Sequence, residues 1–140
     1  MTVLRKRYFT MKQLLILICF IAFSAVANDK AYEQSANNWL ELIDSGDYQA
    51  SWQDTSDRFK NQVSEAQWQL ALEQVRTPLG KVVKRSPLDS TRHTSLPGMP
   101  DGTYQVMQFS TQYENKRESI ETLSMTLIDG KWQAIGYFIK

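Results

Sequence analysis

The sequence predicts an α+β domain in which three N-terminal helices pack on a curved antiparallel sheet of about four strands. Three observations carry that reading. Apolar residues recur at helical spacing up to about Arg76, alternation with a period of two takes over beyond Leu79, and Asp129-Gly130 marks a hairpin between the last two alternating runs. A helical block followed by a strand block is the signature of an α+β layer. No internal repeat or low-complexity tract interrupts the order.

Tyr32, Ala36, Trp39, Leu40 and Ile43 fall on one helical face, and Gly46 follows where a left-handed residue stops a helix, so the first helix spans about residues 30 to 45. Asp47 is placed to cap a shorter second helix carrying Tyr48, Trp52 and Phe59 on its apolar side. The polar stretch Gln53 to Asp57 weakens that helix. The third is the best specified: Ser64 and Gln67 form a capping box, Val63 and Trp68 occupy the positions of a hydrophobic staple, and Trp68, Ala71, Leu72 and Val75 form the stripe. Pro78 disfavours helical geometry at Thr77, so this helix is expected to end near Arg76.

Gly80 to Arg85 reads as a first strand, followed by a connection rich in turn formers: Pro87, Pro97-Gly98 and Pro100-Asp101-Gly102. Met107, Phe109, Thr111 and Tyr113 alternate with polar residues and give a strand with one inward face. The two-residue Asp129-Gly130 turn then sets a register: Ile128 faces Lys131, Leu127 pairs with Trp132, Met125 with Ala134, Leu123 with Gly136 and Glu121 with Phe138.

Ahead of these elements stands a leader. Lys12 supplies positive charge, Leu14 to Phe23 form an apolar run, and Ala25-Val26-Ala27 gives a small-x-small cleavage site, so residues 1–27 read as a signal peptide and 28–140 as the exported domain, periplasmic or secreted. Met11-Lys12-Gln13 offers an alternative start. The run is shorter than the roughly 20 apolar residues of a membrane span, which excludes a membrane anchor after cleavage. Ile18 before Cys19 is too large for a lipoprotein signal, and cleavage removes this only cysteine, leaving no disulfide, thiol nucleophile or thiolate metal site. The leader holds four of the sixteen Lys and Arg residues and none of the fifteen acids, so residues 28–140 carry a net charge of −3. An acidic domain without a basic cluster is not built for nucleic acid, whose binding rests on concentrated positive charge.

Trp39-Leu40, Ser45-Gly46-Asp47-Tyr48 and Ser51-Trp52, in this order of helices before sheet, resemble the cone-shaped nuclear-transport-factor-2-like fold. Arg76, Leu79-Gly80, Arg85, Leu96-Pro97-Gly98, Pro100-Asp101-Gly102, Tyr104, Glu121, Asp129-Gly130 with Trp132, and Gly136-Tyr137-Phe138 resemble the bacterial family catalogued as domain of unknown function 4019. The resemblance implies an exported, cone-shaped domain with no assigned activity. Its superfamily includes ketosteroid isomerases, dehydratases and polyketide cyclases beside domains that only bind ligands or partners, so fold does not choose among them.

Glu121 stands out because the expected register sets a carboxylate on the same strand face as Leu123, Met125 and Leu127. A buried carboxylate must find a partner or take up a proton, and Arg76 and Arg85 are the partners within reach. One reading makes this a polar focus for a ligand; the other makes it a structural ion pair tying the third helix to the sheet. His93, the single histidine, reads as an exposed loop or edge residue, and no ligand spacing suggests a metal or cofactor. Trp39, Trp52, Trp68 and Trp132 read as core, and Leu96 to Gly102 either as a tight connection or as a recognition loop.

Three functional readings follow. The first is a non-catalytic module that binds a small amphipathic ligand or a protein partner in a cavity between helices and sheet, with Arg76, Arg85, Glu121, Tyr104 and Tyr137 as its polar fittings. The second is an isomerase or dehydratase with Glu121 as proton carrier. The third is a homodimer through the open sheet face, bearing Ile135 and Tyr137 on the side away from Leu127.

Overall fold

The computed structural model describes residues 31–140; the signal-peptide reading of residues 1–27 lies outside them. Helix α1 covers residues 31–44. It is followed by α2 (Tyr48–Gln53), α3 (Asp57–Gln62) and α4 (Glu65–Leu79), then β1 (Val82–His93), β2 (Tyr104–Tyr113), β3 (Lys116–Ile128) and β4 (Lys131–Ile139). The strands form one open antiparallel sheet in the order β1-β2-β3-β4. The class is therefore α+β with helices before sheet, but with four helices among the described residues where three are expected.

The additional helix comes from a break at the weak polar stretch. α2 is capped by the Asp47 carboxylate, which accepts from the Ala50 amide at 3.1 Å. The chain then leaves the helix so that Thr55 bridges Ala134 on β4 and the Ser56 amide donates to the Ala134 carbonyl at 3.0 Å. Ser56 restarts the helix by accepting from the Phe59 amide. Thr55 and Ser56 are both buried. Pairing with the sheet edge satisfies backbone groups that a continuous helix would have kept to itself.

α1 ends as expected. Gly46 takes φ +79°, and the Gly46 and Asp47 amides donate back to Ile43 and Leu42, a Schellman closure. α4 opens on the expected capping box, with Ser64 and Gln67 exchanging side-chain-to-backbone bonds. Its end and its stripe differ from expectation. The helix runs past Arg76 to Leu79 with Pro78 inside it, because the Asn115 side chain and amide, on the β2–β3 hairpin, take up the Pro78 and Leu79 carbonyls at 3.0 Å each. Tertiary bonds thus outweigh the local preference of the residue before proline. Its buried residues are Trp68, Leu72 and Arg76, one every four positions, whereas Ala71 and Val75 face solvent.

β1 is twice as long as expected. It keeps pairing with β2 through Pro87 as far as His93, with bulges between Val82 and Lys84 and between Pro87 and Asp89. As an edge strand it tolerates a residue with no amide donor, so the turn-forming connection shortens to residues 94–103.

The Asp129-Gly130 turn has φ of +50° and +75°, as a type I′ geometry requires. The expected pairs Ile128–Lys131, Leu127–Trp132 and Met125–Ala134 form. Beyond them Ile135 is an extra residue on β4, so Ser124 meets Gly136, Leu123 meets Tyr137 and Glu121 meets Ile139. The bulge corrects the two outer pairs of the expected register and reverses the facing of β4. Tyr137 turns towards the helices instead of the open face, and Phe138 becomes half exposed on the other side. Because the inserted residue is on β4, the alternation of β3 is untouched and Glu121 stays inward, 0% exposed.

The core lies between α1, α4 and the inward face of the sheet. Ala36, Trp39, Leu40 and Ile43 from α1 and Trp68 and Leu72 from α4 meet Met107, Phe109, Tyr113, Leu123, Met125, Trp132 and Ala134, all buried. Trp39 and Trp68 both bond to Ser51 at 2.9 Å, one to its carbonyl and one to its hydroxyl, and Trp52 bonds to the Val63 carbonyl. Trp39 and Trp68 are core members, whereas Trp52, expected in the core, is only partly buried; the indole N–H groups of all three fix the short helices.

Candidate functional site

Inward alternation on β3 and β2 brings Glu121 beside Thr111, and the same parity on β1 puts Arg85 across from Thr111. Arg85 meets the Glu121 carboxylate at two points, Nε to Oε1 at 2.7 Å and Nη2 to Oε2 at 3.1 Å. Thr111 Oγ1 donates to Oε1 and Tyr137 Oη to Oε2, each at 2.5 Å. Four donors therefore surround one fully buried carboxylate. On its far side Arg85 also grips Asp44, at the end of α1, through Nη1 at 2.7 Å and Nη2 at 2.9 Å. Arg76 Nη2 donates to the same Asp44 at 3.1 Å, and its guanidinium lies 5.1 Å from the Tyr113 ring centre.

Two guanidinium groups and two carboxylates balance to zero charge. Burial alone would raise the Glu121 carboxyl, but the bonds from Arg85, Thr111 and Tyr137 outweigh it and hold Glu121 below its ordinary range. Burial also works against the charge on Arg85, and its bonds to Asp44 and Glu121 more than compensate and raise it. Tyr137 is pushed far up by burial and by the Glu121 charge, so its hydroxyl remains a donor. The Tyr113 hydroxyl, also pushed up chiefly by burial, is buried without a hydrogen-bond partner among the described residues, as are the Ser119 hydroxyl and two nitrogens of Arg76.

Of the five expected fittings, Arg85, Glu121 and Tyr137 come together, and Arg76 joins them through Asp44. Tyr104 does not. It has the opposite parity to Met107 and Phe109, lies at the other end of β2, and donates to the Pro100 carbonyl at 2.6 Å. Asp44 and Thr111 complete the cluster. Asp44 was detectable in principle, since it follows Ala36 and Leu40 at intervals of four on the buried face of α1.

The residues that hold this cluster span the stretch on which the chain matches known sequences: residues 35–137 match the family described as Protein of unknown function (DUF4019). The chain belongs to DUF4019. A comparison with curated proteins found no match.

In this DUF4019 chain Glu121 and Arg76 are buried, while Arg85 and Asp44 at the edge of the cluster are partly exposed. Three clefts among the described residues lie away from Arg76, Arg85, Glu121 and Tyr137. One cleft, of about 150 Å³, opens between α1 and the β1–β2 pair. Buried Ala36, Met107 and Phe109 form its floor, Tyr32 and Pro87 its walls, and exposed Glu33, Asn37, Asp89 and Ser90 its rim. A second, of about 310 Å³, lies beside the 94–103 connection, lined by Arg58, Met99, Pro100 and Leu127 among others. That connection is braced from outside, with Arg58 donating to the Gly98 carbonyl at 2.8 Å. The third is polar, between Lys84, Ser110 and Arg117 on the exposed sheet face.

His93 ends β1 opposite Tyr104 and is partly buried. Among the described residues there is no group of three or more His, Cys, Asp or Glu side chains able to hold a metal, and no helix long and apolar enough to cross a membrane.

Proposed function

We propose that this DUF4019 chain is an exported, cone-like binding module without catalytic activity, and that its site is the cleft between α1 and the β1–β2 pair. The observation that carries the reading is the division of labour between two places. The charged cluster spends every oxygen of Glu121 on protein donors, whereas the cleft opens to solvent past Tyr32 and Pro87 above a buried apolar floor. Arg76, Arg85, Glu121 and Tyr137 then act as a tie between α1, α4 and the sheet, and hold α1 at the spacing that keeps the cleft open.

The size of the cleft decides what enters. Drug-sized ligands occupy roughly 300–1,000 Å³, while an apolar cavity of about 150 Å³ accepts a benzene-sized group. At about 150 Å³ this cleft takes one ring or one branched side chain of a partner. The enzyme reading requires a carboxylate that exchanges its proton near neutral pH; the downward shift of Glu121 and its four donors argue against that role.

Titration with indole as a probe, followed by amide NMR, tests the reading. Shifts concentrated at Ala36, Asn37, Ser90 and Phe109 are expected, and they disappear in Ala36→Trp, which fills the floor. Shifts that spread over the surface or centre on the Glu121 cluster would contradict it.

A further inference from the structure

The sheet face that points away from the helices carries a polar cleft of about 150 Å³, lined by Lys84 and Ser86 of β1, Ser110 and Gln112 of β2 and Arg117 of β3. The register gathers these side chains. Lys84 pairs with Gln112 and Ser86 with Ser110, so four of them stand on one face in two rows about 7 Å apart, alternating with the inward Arg85 and Thr111. The β2–β3 bulge sets two residues, Arg117 and Glu118, against Gln112; Arg117 lines the cleft and Glu118 does not. Asp89, an acid further along this face, lies beyond Ser86 opposite Gln108 and accepts from the Thr91 hydroxyl at 3.0 Å. Among the described residues none of the five lining side chains is bonded to another protein group, whereas Arg76 and Arg85 on the inward face are tied to Asp44 and Glu121. Two like charges held around one gap repel each other, and an anion between them turns that repulsion into attraction.

We propose that this cleft binds a small free oxyanion of the phosphate or sulfate class. Lys84 and Arg117 supply the charge, and the Ser86 and Ser110 hydroxyls with the Gln112 amide supply directed donors. A tetrahedral oxyanion, with an acceptor at every corner, uses all of them at once; a halide does not. Net charge selects the source of the oxyanion. The described residues carry eleven Lys and Arg against fourteen Asp and Glu, so an anionic bilayer meets net repulsion, whereas a single small ion senses the cations within a Debye length of about 8 Å. The site is separate from the cleft beside α1, which lies on the other face of the sheet, and does not depend on that cleft binding anything.

The test is an amide NMR titration of the whole purified chain with sodium phosphate and with sodium chloride at matched ionic strength and pH. Phosphate is expected to give saturable shifts at Lys84, Ser86, Ser110, Gln112 and Arg117 that chloride does not produce. The double variant Lys84→Gln/Arg117→Gln, both exposed positions, is expected to weaken phosphate about fivefold, the size that two solvent-exposed charge pairs supply. Ser86→Ala/Ser110→Ala, which keeps both cations, is expected to weaken it about threefold through the lost directed bonds. Shifts that chloride reproduces, or a serine double variant that binds phosphate as tightly as the unsubstituted chain, reduce the cleft to diffuse positive charge and overturn the proposal. Sedimentation with phosphatidylglycerol vesicles is expected to be the same for the unsubstituted chain and for Lys84→Gln/Arg117→Gln; retention that this variant loses assigns the cleft to a lipid headgroup and contradicts a free oxyanion.

Discussion

Glu121 keeps its negative charge out of water because Arg85, Thr111 and Tyr137 replace the solvent around it. Removing one side of such a pair leaves the other charge buried and unmatched, at a cost of about 3–5 kcal/mol. Glu121→Gln preserves volume and is expected to lose about 3 kcal/mol in urea unfolding, at the low end because Arg85 retains Asp44; a loss below about 1 kcal/mol would mean the pair is solvated. The pH dependence follows from the same group. Its folded pKa lies below the ordinary value of 4.5, so on acidification the unfolded chain takes up the proton first. The Glu121 contribution is thus fully present above about pH 4.5 and declines as pH falls through the lower folded value, and Glu121→Gln is expected to flatten that part of the stability profile. Tyr137→Phe removes one charge-assisted bond and is expected to cost about 1.5–3 kcal/mol by the same measurement. The Glu121–Arg85 partnership was legible in the sequence because it needs only the alternation of β3 and a guanidinium on β1. Asp44 was missed although its stripe position marked it.

Elements were legible where local chemistry and tertiary packing agree. The capping box of α4, the glycine stop of α1 and the Asp129-Gly130 turn each form as the residues require. Where long-range bonds compete, sequence periodicity lost: Asn115 carries α4 past Pro78, the Ala134 carbonyl splits the second helix, and pairing with β2 extends β1 through Pro87. The Ile135 bulge is the most consequential of these. Alternation assumes one residue opposite one residue, so nothing in the pattern announced the insertion that turns Tyr137 onto Glu121. The joint between α4 and β1 carries its own prediction. Gly80 has φ +76°, and a Cβ there would stand 2.7 Å from Glu114 Oε2, the atom that accepts from the Lys81 amide. Gly80→Ala is expected to destabilise by more than about 1 kcal/mol, read as a lower urea midpoint at unchanged slope, whereas a neutral result would show that Glu114 yields without cost.

Across the whole molecule one sheet face carries two neighbouring features. A charged and hydroxyl-lined cluster joins α1, α4 and all four strands, and beside it, from Phe109 opposite Glu121 onward, lies the gap between α1 and β1–β2 that is proposed as the binding cleft. Filling the gap from within, by Ala36→Trp at a buried position, is expected to cost about 1–3 kcal/mol in urea unfolding and to abolish capture of any ligand by the chain that still folds. The most direct test of the account is native mass spectrometry of the protein purified gently from the cells that make it, unsubstituted and as Ala36→Trp. The account predicts an additional mass on the unsubstituted chain, released on unfolding and absent from Ala36→Trp. An unsubstituted chain that carries no additional mass, or a mass that Ala36→Trp retains, would contradict it.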